Sequence, residues 1–269
     1  MAGRATIVGA AGFVGRRLKA RLERDGWSVF APAKGDGSLS ERDLGLVFYC
    51  AGLTADYDQR PFDTVEAHAS LVSRLIESGR FERIVYLSST RLYDGLSKAE
   101  VSEAEPLVFD PTDPRRTYDL SKALGENLVM TRAGGRGSVA RLANVFDWDP
   151  DAPGFLSEWL IRARRERAFT LPSSPHAARD YIHLEDVVEA LIAIGRSGEP
   201  LIFNVAGGTL ITNGEIAEVF KGCGWTVSFS GDARPAPPPN ARIERLKALG
   251  VTPRPVKDVI RAYLEGLSP

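Results

Sequence analysis

A tyrosine and a lysine with helical spacing are the residues of this chain best suited to acid–base chemistry. In the run Tyr118-Asp119-Leu120-Ser121-Lys122 the two side chains stand four residues apart, a spacing that puts them on one face of a helix. A tyrosine phenol ordinarily titrates near pH ~10, and a neighbouring ammonium group favours its ionised form. A phenolate held in this way can remove a proton from a substrate hydroxyl at neutral pH. With the glycine-rich turn described next, this pairing predicts a redox enzyme.

The glycine-rich turn lies near the start of the chain. The run Gly9-Ala10-Ala11-Gly12-Phe13-Val14-Gly15 follows an apolar strand pattern and opens a helical one. The first glycine permits a tight turn, the second lets the backbone approach a pyrophosphate, and the third lets helix and strand pack closely. The free N–H groups of a helix N-terminus attract phosphate. The turn therefore predicts a dinucleotide site, although its spacing is GxxGxxG rather than GxGxxG.

The end of the second predicted strand bears on which dinucleotide is bound. An acidic residue about 20 positions beyond the turn usually binds the adenosine ribose, but Ala33 stands near that position. Lys34 can accept a 2′-phosphate, which favours NADP, whereas Asp36 can reach a ribose, which favours NAD. NAD and NADP are thus equal alternatives. A third alternative is that Lys34 and Asp36 are solvated loop charges that bind neither cofactor.

Alternating apolar runs and helical patterns must position these groups. Such alternation is typical of βαβ units and a parallel sheet. The patterns predict strands at 6–9, 28–31, 46–50, 83–87, 138–142 and 201–205, and helices at 13–24, 61–78, 117–131, 186–194, 213–221, 241–249 and 256–264. The expected fold class is α/β, a Rossmann-type doubly wound parallel sheet with a smaller C-terminal substrate-binding lobe. We expect residues 1–145 to form the dinucleotide-binding domain, to which 179–205 returns, and 146–269 to form most of the lobe.

Composition argues against several other classes of protein. The 269 residues carry a formal net charge of −1 and no basic stripe, so no nucleic-acid partner is expected. No apolar run approaches the length of a membrane span, and no leader pattern precedes the first strand, so a cytoplasmic protein without a membrane partner is expected. Cys50 and Cys223 are far apart and predict neither a disulfide nor a metal site.

Several further runs resemble one known family. With the glycine turn and the Tyr/Lys pair, they follow the order found in extended short-chain dehydrogenases/reductases, in the NAD-dependent epimerase/dehydratase group that acts on nucleotide-sugars. The resemblance covers nearly the whole chain. The matching runs are Cys50-Ala51-Gly52-Leu53, Tyr86-Leu87-Ser88-Ser89-Thr90-Arg91-Leu92-Tyr93, Arg141-Leu142-Ala143-Asn144-Val145, Arg179-Asp180-Tyr181-Ile182-His183 with Asp186-Val187, and Phe203-Asn204-Val205.

The resemblance implies a role for each matching residue. Ser89, with Thr90 as its neighbouring alternative, falls at the catalytic Ser/Thr position, which completes a set with Tyr118 and Lys122. Arg179 falls where a charge-assisted bond to a diphosphate is made, against the alternative of an ion pair with Asp180 or Asp186. For Ser89 the alternative is strand-end capping. The expected cofactor-binding residues are Gly9, Gly12, Phe13, Val14, Gly15, Lys34, Asp36, Cys50, Ala51, Gly52, Leu87, Tyr118, Lys122 and Leu142, and the expected substrate-binding residues are Thr54, Ser89, Thr90, Arg91, Asn144 and Arg179.

The chain departs from its relatives at three places. Nucleotide-sugar 4,6-dehydratases carry an Asp-Glu pair where this chain has Thr90-Arg91, so that reaction is disfavoured for want of a proton donor. The segment before residue 46 is too short for a full third strand and its helix. His68 stands where many relatives have asparagine, and a packing role for it is slightly favoured over a role in the site.

The expected reaction is NAD(P)-dependent epimerisation of a nucleotide-sugar, with C4 as the expected carbon. Ala51-Gly52-Leu53 and Arg179-Asp180-Tyr181-Ile182-His183 look most like the hexose 4-epimerases. The alternative is an NAD(P)H-dependent ketoreductase of a nucleotide-linked keto-sugar, and a non-catalytic dinucleotide sensor is a second alternative. Family resemblance also suggests a homodimer formed through the helices that begin near Pro61 and Thr117.

Overall fold

Helices and short strands alternate along the chain, as the sequence patterns predict. The structure is a computed structural model, and it describes residues 3–53 and 56–267. The strands in this part of the chain are β1 (Arg4–Val8), β2 (Ser28–Phe30), β3 (Leu46–Tyr49), β4 (Arg83–Ser89), β5 (Glu100–Val101), β6 (Gly137–Leu142), β7 (Asn144–Phe146), β8 (Ala168–Leu171), β9 (Ala178–His183), β10 (Ile202–Val205), β11 (Leu210–Thr212), β12 (Thr226–Phe229) and β13 (Asn240–Ala241). The helices are α1 (Phe13–Arg24), α2 (Pro61–Val65), α3 (Leu71–Ser78), α4 (Thr117–Arg132), α5 (Phe155–Arg162), α6 (Leu184–Ser197), α7 (Asn213–Gly222), α8 (Glu244–Ala248) and α9 (Val256–Glu265).

A parallel sheet of six strands forms the centre of the fold. Its order is β2-β1-β3-β4-β6-β10, and every neighbouring pair runs in the same direction. Helices α1 and α6 pack against each other on one face, while α2, α3 and α4 pack together on the other. Strands covered on both faces must be apolar throughout, and all four residues of β3 are buried. The predicted Rossmann-type, doubly wound α/β fold is therefore confirmed.

The sheet ends at β2, where a larger Rossmann fold would add another strand. Residues 31–45, all of them described, contain a 3₁₀ helix at Gly37–Ser40 and no strand. The predicted loss of the third strand and its helix is confirmed. The edge of β2 and the loop after it therefore form the border of the region expected to bind adenosine.

The predicted helix at 61–78 is helical throughout but changes its winding in the middle. A π turn at Glu66–Ser70 separates α2 from α3. A π turn widens the helix and leaves carbonyl groups outside the usual bonding ladder. Two buried tyrosines satisfy them, since Tyr49 Oη donates to Ala67 O at 2.6 Å and Tyr86 Oη donates to His68 O at 2.8 Å.

Outside the central sheet the described residues form three smaller sheets, one of which pairs β5 with β13, and a separate apolar cluster. The strands β7, β9 and β11 form one sheet, and β8 pairs with β12. Aromatic and aliphatic side chains form this cluster, in which Trp159, Phe220 and Trp225 are almost fully buried. Strand β10 returns to the central sheet and α6 packs on it, whereas β9 belongs to the small sheet. The division into two domains at residue 145 stays a prediction.

No helix among the described residues combines the length and the apolar character that crossing a bilayer requires.

Candidate functional site

The glycine turn connects β1 to α1 at the carboxyl end of the sheet. Gly9 has a φ of +88°, and a Cβ built there would lie 2.6 Å from Ala51 N. A Cβ on Gly15 would lie 2.3 Å from Gly9 O, so helix and turn touch through their backbones. Gly12 caps α1 without a side-chain bond, and the first turn, which holds Phe13 and Val14, carries no acidic residue. This uncapped, uncharged helix start fits the pyrophosphate of a dinucleotide.

The segment after β3 lies beside the glycine turn. Cys50 N donates to Val8 O at 2.8 Å, which continues the pairing of β3 with β1. Burial raises the pKa of the Cys50 thiol to about 12, so this thiol is a small apolar group at neutral pH. A Cβ on Gly52 would lie 3.1 Å from His68 Nε2 and 3.2 Å from Lys122 Nζ. The segment Cys50 to Gly52 therefore brings the dinucleotide turn into contact with the helix that carries Lys122.

Lys122 is buried and held by the backbone of β4. Its ammonium group donates to Leu87 O at 2.8 Å and lies 5.0 Å from the centre of the Tyr86 ring. Burial lowers the pKa of Lys122 to about 7, against an opposing effect of Glu126. Leu87 and Lys122, both expected to line the cofactor, are thus in direct contact.

Tyr118 lies in the first turn of α4, close to Ser89 and Arg91. Burial raises the pKa of Tyr118, whereas a hydrogen bond with Ser89 and the charge of Arg91 lower it. The Arg91 guanidinium lies 5.1 Å from the centre of the Tyr118 ring. The sequence spacing predicts Lys122 as the cation beside Tyr118, but in the structure Arg91 faces the ring and Lys122 bonds the backbone of β4.

Ser89 and Thr90 differ in what they face. Ser89 Oγ accepts a bond from Arg91 N at 3.2 Å, which caps the 3₁₀ helix Thr90–Tyr93, and the same side chain bonds Tyr118. The capping alternative is therefore present, together with a contact between Ser89 and Tyr118. Thr90 Oγ1 instead donates weakly to Leu142 O at 3.4 Å. The serine, and not the threonine, meets the tyrosine.

Tyr57 is a site neighbour that no sequence pattern indicated. Its ring centre lies 5.3 Å from that of Tyr118, and its hydroxyl accepts a bond from Arg91 Nη2 at 2.8 Å. Arg91 Nε also lies 3.1 Å from Asp119 Oδ1, so the guanidinium is held from two sides. The expected substrate residue Thr54 lies outside the described residues.

Asn144 and Arg179 lie on the small sheet beyond the end of β6. Asn144 Nδ2 donates to Asp180 O at 2.8 Å. The ion-pair alternative for Arg179 does not hold, because Asp180 accepts from the backbone N–H groups of Gly207 and Gly208, and Asp186 pairs with Arg254. The Arg179 guanidinium lies 5.0 Å from the centre of the ring of Phe155, and its Nη1 is buried without a hydrogen bond of good geometry.

Lys34 and Asp36 flank the border formed by β2. Asp36 Oδ1 accepts from Ser38 N at 2.9 Å, and bonds from Ser38 lower the pKa of Asp36. The pKa of Asp63 is lowered by Arg60 and also by Lys34, which places the lysine on the side of α2. The Asp36 carboxylate thus already caps the 3₁₀ helix Gly37–Ser40.

Comparison with known proteins identifies one family that matches most of the chain. The model of the NAD dependent epimerase/dehydratase family matches residues 5–206. UDP-glucose 4-epimerase of Mycolicibacterium smegmatis is 28% identical over 81% of this chain and 82% of its own length. A ketoreductase of Stigmatella aurantiaca that acts on 4-hydroxy-2-methyl-3-oxo-4-farnesyl-3,4-dihydroquinoline-1-oxide is 25% identical over 72% of this chain, which spans 65% of that protein.

Solved structures share the fold. MoeE5 in complex with UDP-glucose and NAD superposes with a TM-score of 0.80 at 20% identity, over 98% of each chain. RMD of Pseudomonas aeruginosa complexed with NADPH superposes with a TM-score of 0.78 at 21% identity, over 99% of this chain and 98% of RMD. With the family match over most of the sequence, this chain belongs to the NAD dependent epimerase/dehydratase family and is an extended short-chain dehydrogenase/reductase enzyme whose cofactor is NAD or NADP.

Proposed function

We propose that this enzyme epimerises a nucleotide-sugar at a carbinol carbon, C4, with Tyr118 as the acid–base residue. The observation that carries the proposal is the bond between Tyr118 and Ser89 at the end of β4, with Lys122 anchored on the same strand. The carboxyl ends of parallel strands, next to the point where strand order reverses, are where such sheets bind ligands. The likeness to UDP-glucose 4-epimerase supports a nucleotide-sugar as the substrate.

The side chains divide the chemistry in a simple way. Tyr118 Oη takes the proton of the sugar hydroxyl, and Ser89 bonds the same sugar oxygen as it becomes a carbonyl oxygen. Arg91 favours the ionised form of Tyr118 before the proton is taken. A bound nicotinamide dinucleotide supplies the hydride acceptor and donor, and in an epimerase that hydride returns to the other face of the keto-sugar.

The dinucleotide and the sugar nucleotide would use residues already described. The turn of Gly9, Gly12 and Gly15 would receive the pyrophosphate, because its backbone is open and carries no acidic group. Lys122 would also bond the nicotinamide ribose. For the substrate we assign the diphosphate to Arg179, whose buried Nη1 lacks a hydrogen-bond acceptor.

Turnover by a Tyr118→Phe variant tests the proposal. Removing a general base typically costs 10²- to 10⁴-fold in rate, so we expect a fall of about 10³-fold with UDP-glucose or UDP-glucuronic acid as the probe. NADH binding, followed by fluorescence, should stay within about twofold of wild type. A Tyr263→Phe variant, altered in the distant aromatic cluster, is the matched control. Unchanged turnover in Tyr118→Phe would contradict the proposal.

Ketoreduction is the second candidate, and two observations favour it. One relative is a ketoreductase, and the carboxylate of Asp36, the first acidic residue after β2, is engaged as a cap. Mass spectrometry of the cofactor released from denatured, freshly purified protein separates the candidates. Retained NAD supports an epimerase that reuses its own hydride. An empty site that binds NADPH supports the reductase, with Lys34 as the partner of the 2′-phosphate.

We propose a homodimer as the working assembly. Large apolar side chains project from the outer faces of α2 and α4, which contact each other. Phe62 is 88% exposed and Leu124 is 49% exposed, and such a patch on a small protein marks an interaction surface. A second copy with the same patch would cover it. The cytoplasmic location stays a prediction from the sequence.

A further inference from the structure

His68 is fully buried and forms part of a chain of hydrogen bonds through the site. Leu53 N donates to His68 Nε2 at 3.3 Å, and His68 Nδ1 lies 2.9 Å from Ser121 Oγ. Ser121 Oγ in turn donates to Tyr118 O at 2.9 Å. Because Nε2 accepts and the serine proton is used on Tyr118, Nδ1 must carry the imidazole proton and donate it to Ser121. Each of these three hydrogen bonds then has one donor and one acceptor.

The ring is neutral and closely surrounded. Burial, together with the charge of Lys122, lowers the pKa of His68 to about 2. The ring meets the Tyr118 ring edge-on, with centres 5.1 Å apart. A Cβ on Gly52 would lie 3.1 Å from His68 Nε2, so the loop approaches closely only because a glycine stands there.

The π turn holds His68 in this position. The bonds from Tyr49 and Tyr86 fix the carbonyls of Ala67 and His68 against the sheet. Gly125 of α4 leaves the space, since a Cβ there would lie 2.3 Å from Tyr86 Oη and 2.5 Å from His68 O. The backbone that carries His68 is thus fixed by the sheet on one side and by α4 on the other.

We propose that His68 is a positioning residue that ties the loop at Gly52–Leu53 to the first turn of α4, and so sets Tyr118 and Lys122 relative to the dinucleotide segment. The inference rests on the proposed function of Tyr118 and Lys122. The neutral imidazole of His68 bridges two elements that are distant in sequence. A side chain that only filled space would need neither nitrogen.

Three variants test the bridge. His68→Leu removes both nitrogens, Ser121→Ala removes the acceptor of Nδ1, and His68→Gln keeps a donor and an acceptor on one planar group. A displacement of about 1 Å can cost about 10²-fold in rate, so we expect His68→Leu to lower kcat by roughly 10- to 100-fold. The dissociation constant for NADH or NADPH should rise by about fivefold, because the loop loses its anchor.

The conservative variant and the double variant decide between positioning and packing. His68→Gln should recover kcat and cofactor affinity to within about fivefold of wild type. His68→Leu combined with Ser121→Ala should be no worse than the worse single variant, because both break the same chain. A glutamine variant as impaired as the leucine variant, or fully additive losses, would overturn the proposal.

A spectroscopic measurement tests the bridge without turnover. The chain has three histidines, so ¹⁵N-histidine labelling of the purified protein resolves them, with His68→Gln giving the assignment. We expect His68 to show the Nδ1–H tautomer unchanged from pH 5 to pH 9. An Nε2–H tautomer, or titration in that range, would refute the bridge. This result stands even if Tyr118→Phe shows that the proposed reaction is wrong.

Discussion

Tyr118 and Lys122 are subject to the same physical effect in opposite directions. Burial raises the pKa of the phenol and lowers that of the ammonium, so it favours the neutral form of each. Ser89 and Arg91 counteract burial at Tyr118. The ionisation of Tyr118, the proposed acid–base residue, therefore depends on neighbours outside its own helix, and the i, i+4 pairing is only part of its environment.

The buried ammonium of Lys122 predicts a pH dependence of stability. Its pKa is 10.5 in the unfolded reference and about 7 in the fold, so between these values the unfolded chain binds more protons. The free energy of unfolding therefore rises with pH between these two pKa values. Below pH ~7 the protein bears the full cost of burying the charged Lys122 ammonium. Between pH ~7 and ~9.5 the dinucleotide-free wild type should gain about 3 kcal/mol relative to Lys122→Met, on the scale of 1.36 kcal/mol per pKa unit.

Urea unfolding of both proteins at the two pH values measures this difference. All other titrations are shared, so they cancel in the comparison. A wild-type curve that parallels the variant across the window would contradict the shifted pKa.

At the scale of elements, the π turn and α4 pack closely against each other beside the candidate site. Two sheet tyrosines, the carbonyls of Ala67 and His68, and the bare backbone of Gly125 all meet there. A glycine inside a helix usually lowers its stability by about 1 kcal/mol relative to alanine. Gly125 stands in the middle of α4 because the π turn occupies the space that a Cβ would need.

A Gly125→Ala variant should therefore be destabilised, against the ordinary helix preference. The new Cβ would meet a backbone oxygen, which cannot move aside as a flexible side chain can. We expect the free energy of unfolding to fall by about 1 to 3 kcal/mol. Gly222→Ala in α7 is the control, since a Cβ there meets nothing within 4 Å, and it should be neutral or slightly stabilising. Equal behaviour of the two variants in urea unfolding would refute the explanation.

At the scale of the whole molecule, the two faces of the sheet have different surroundings. Helices α1 and α6 carry ion pairs to neighbouring segments, such as Arg21 with Glu189. The outer faces of α2 and α4 instead expose Phe62, Val65, Leu120 and Leu124. That asymmetry makes α2 and α4 the side of the molecule that would meet the proposed second copy.

Charge placed in this patch should dissociate the proposed dimer. Light scattering of the wild type should give twice the chain mass of 29.2 kDa, and Leu124→Glu should give the monomer mass. Leu201→Glu is a control, because Leu201 is 37% exposed but follows α6 on the other face. A wild-type protein that stays monomeric at micromolar concentration would contradict the proposed homodimer.

The sequence by itself determined what local pattern can encode. Apolar alternation located the strands of the central sheet, and the glycine turn and the Tyr118–Lys122 spacing located the candidate site, because periodicity and turn chemistry are set by residues close in the chain. The small sheets and the π turn were decided only by tertiary structure. The same holds for Arg91 over Tyr118, for Tyr57, and for the His68 bridge. These depend on packing between segments tens of residues apart, and no periodicity records which of them will meet.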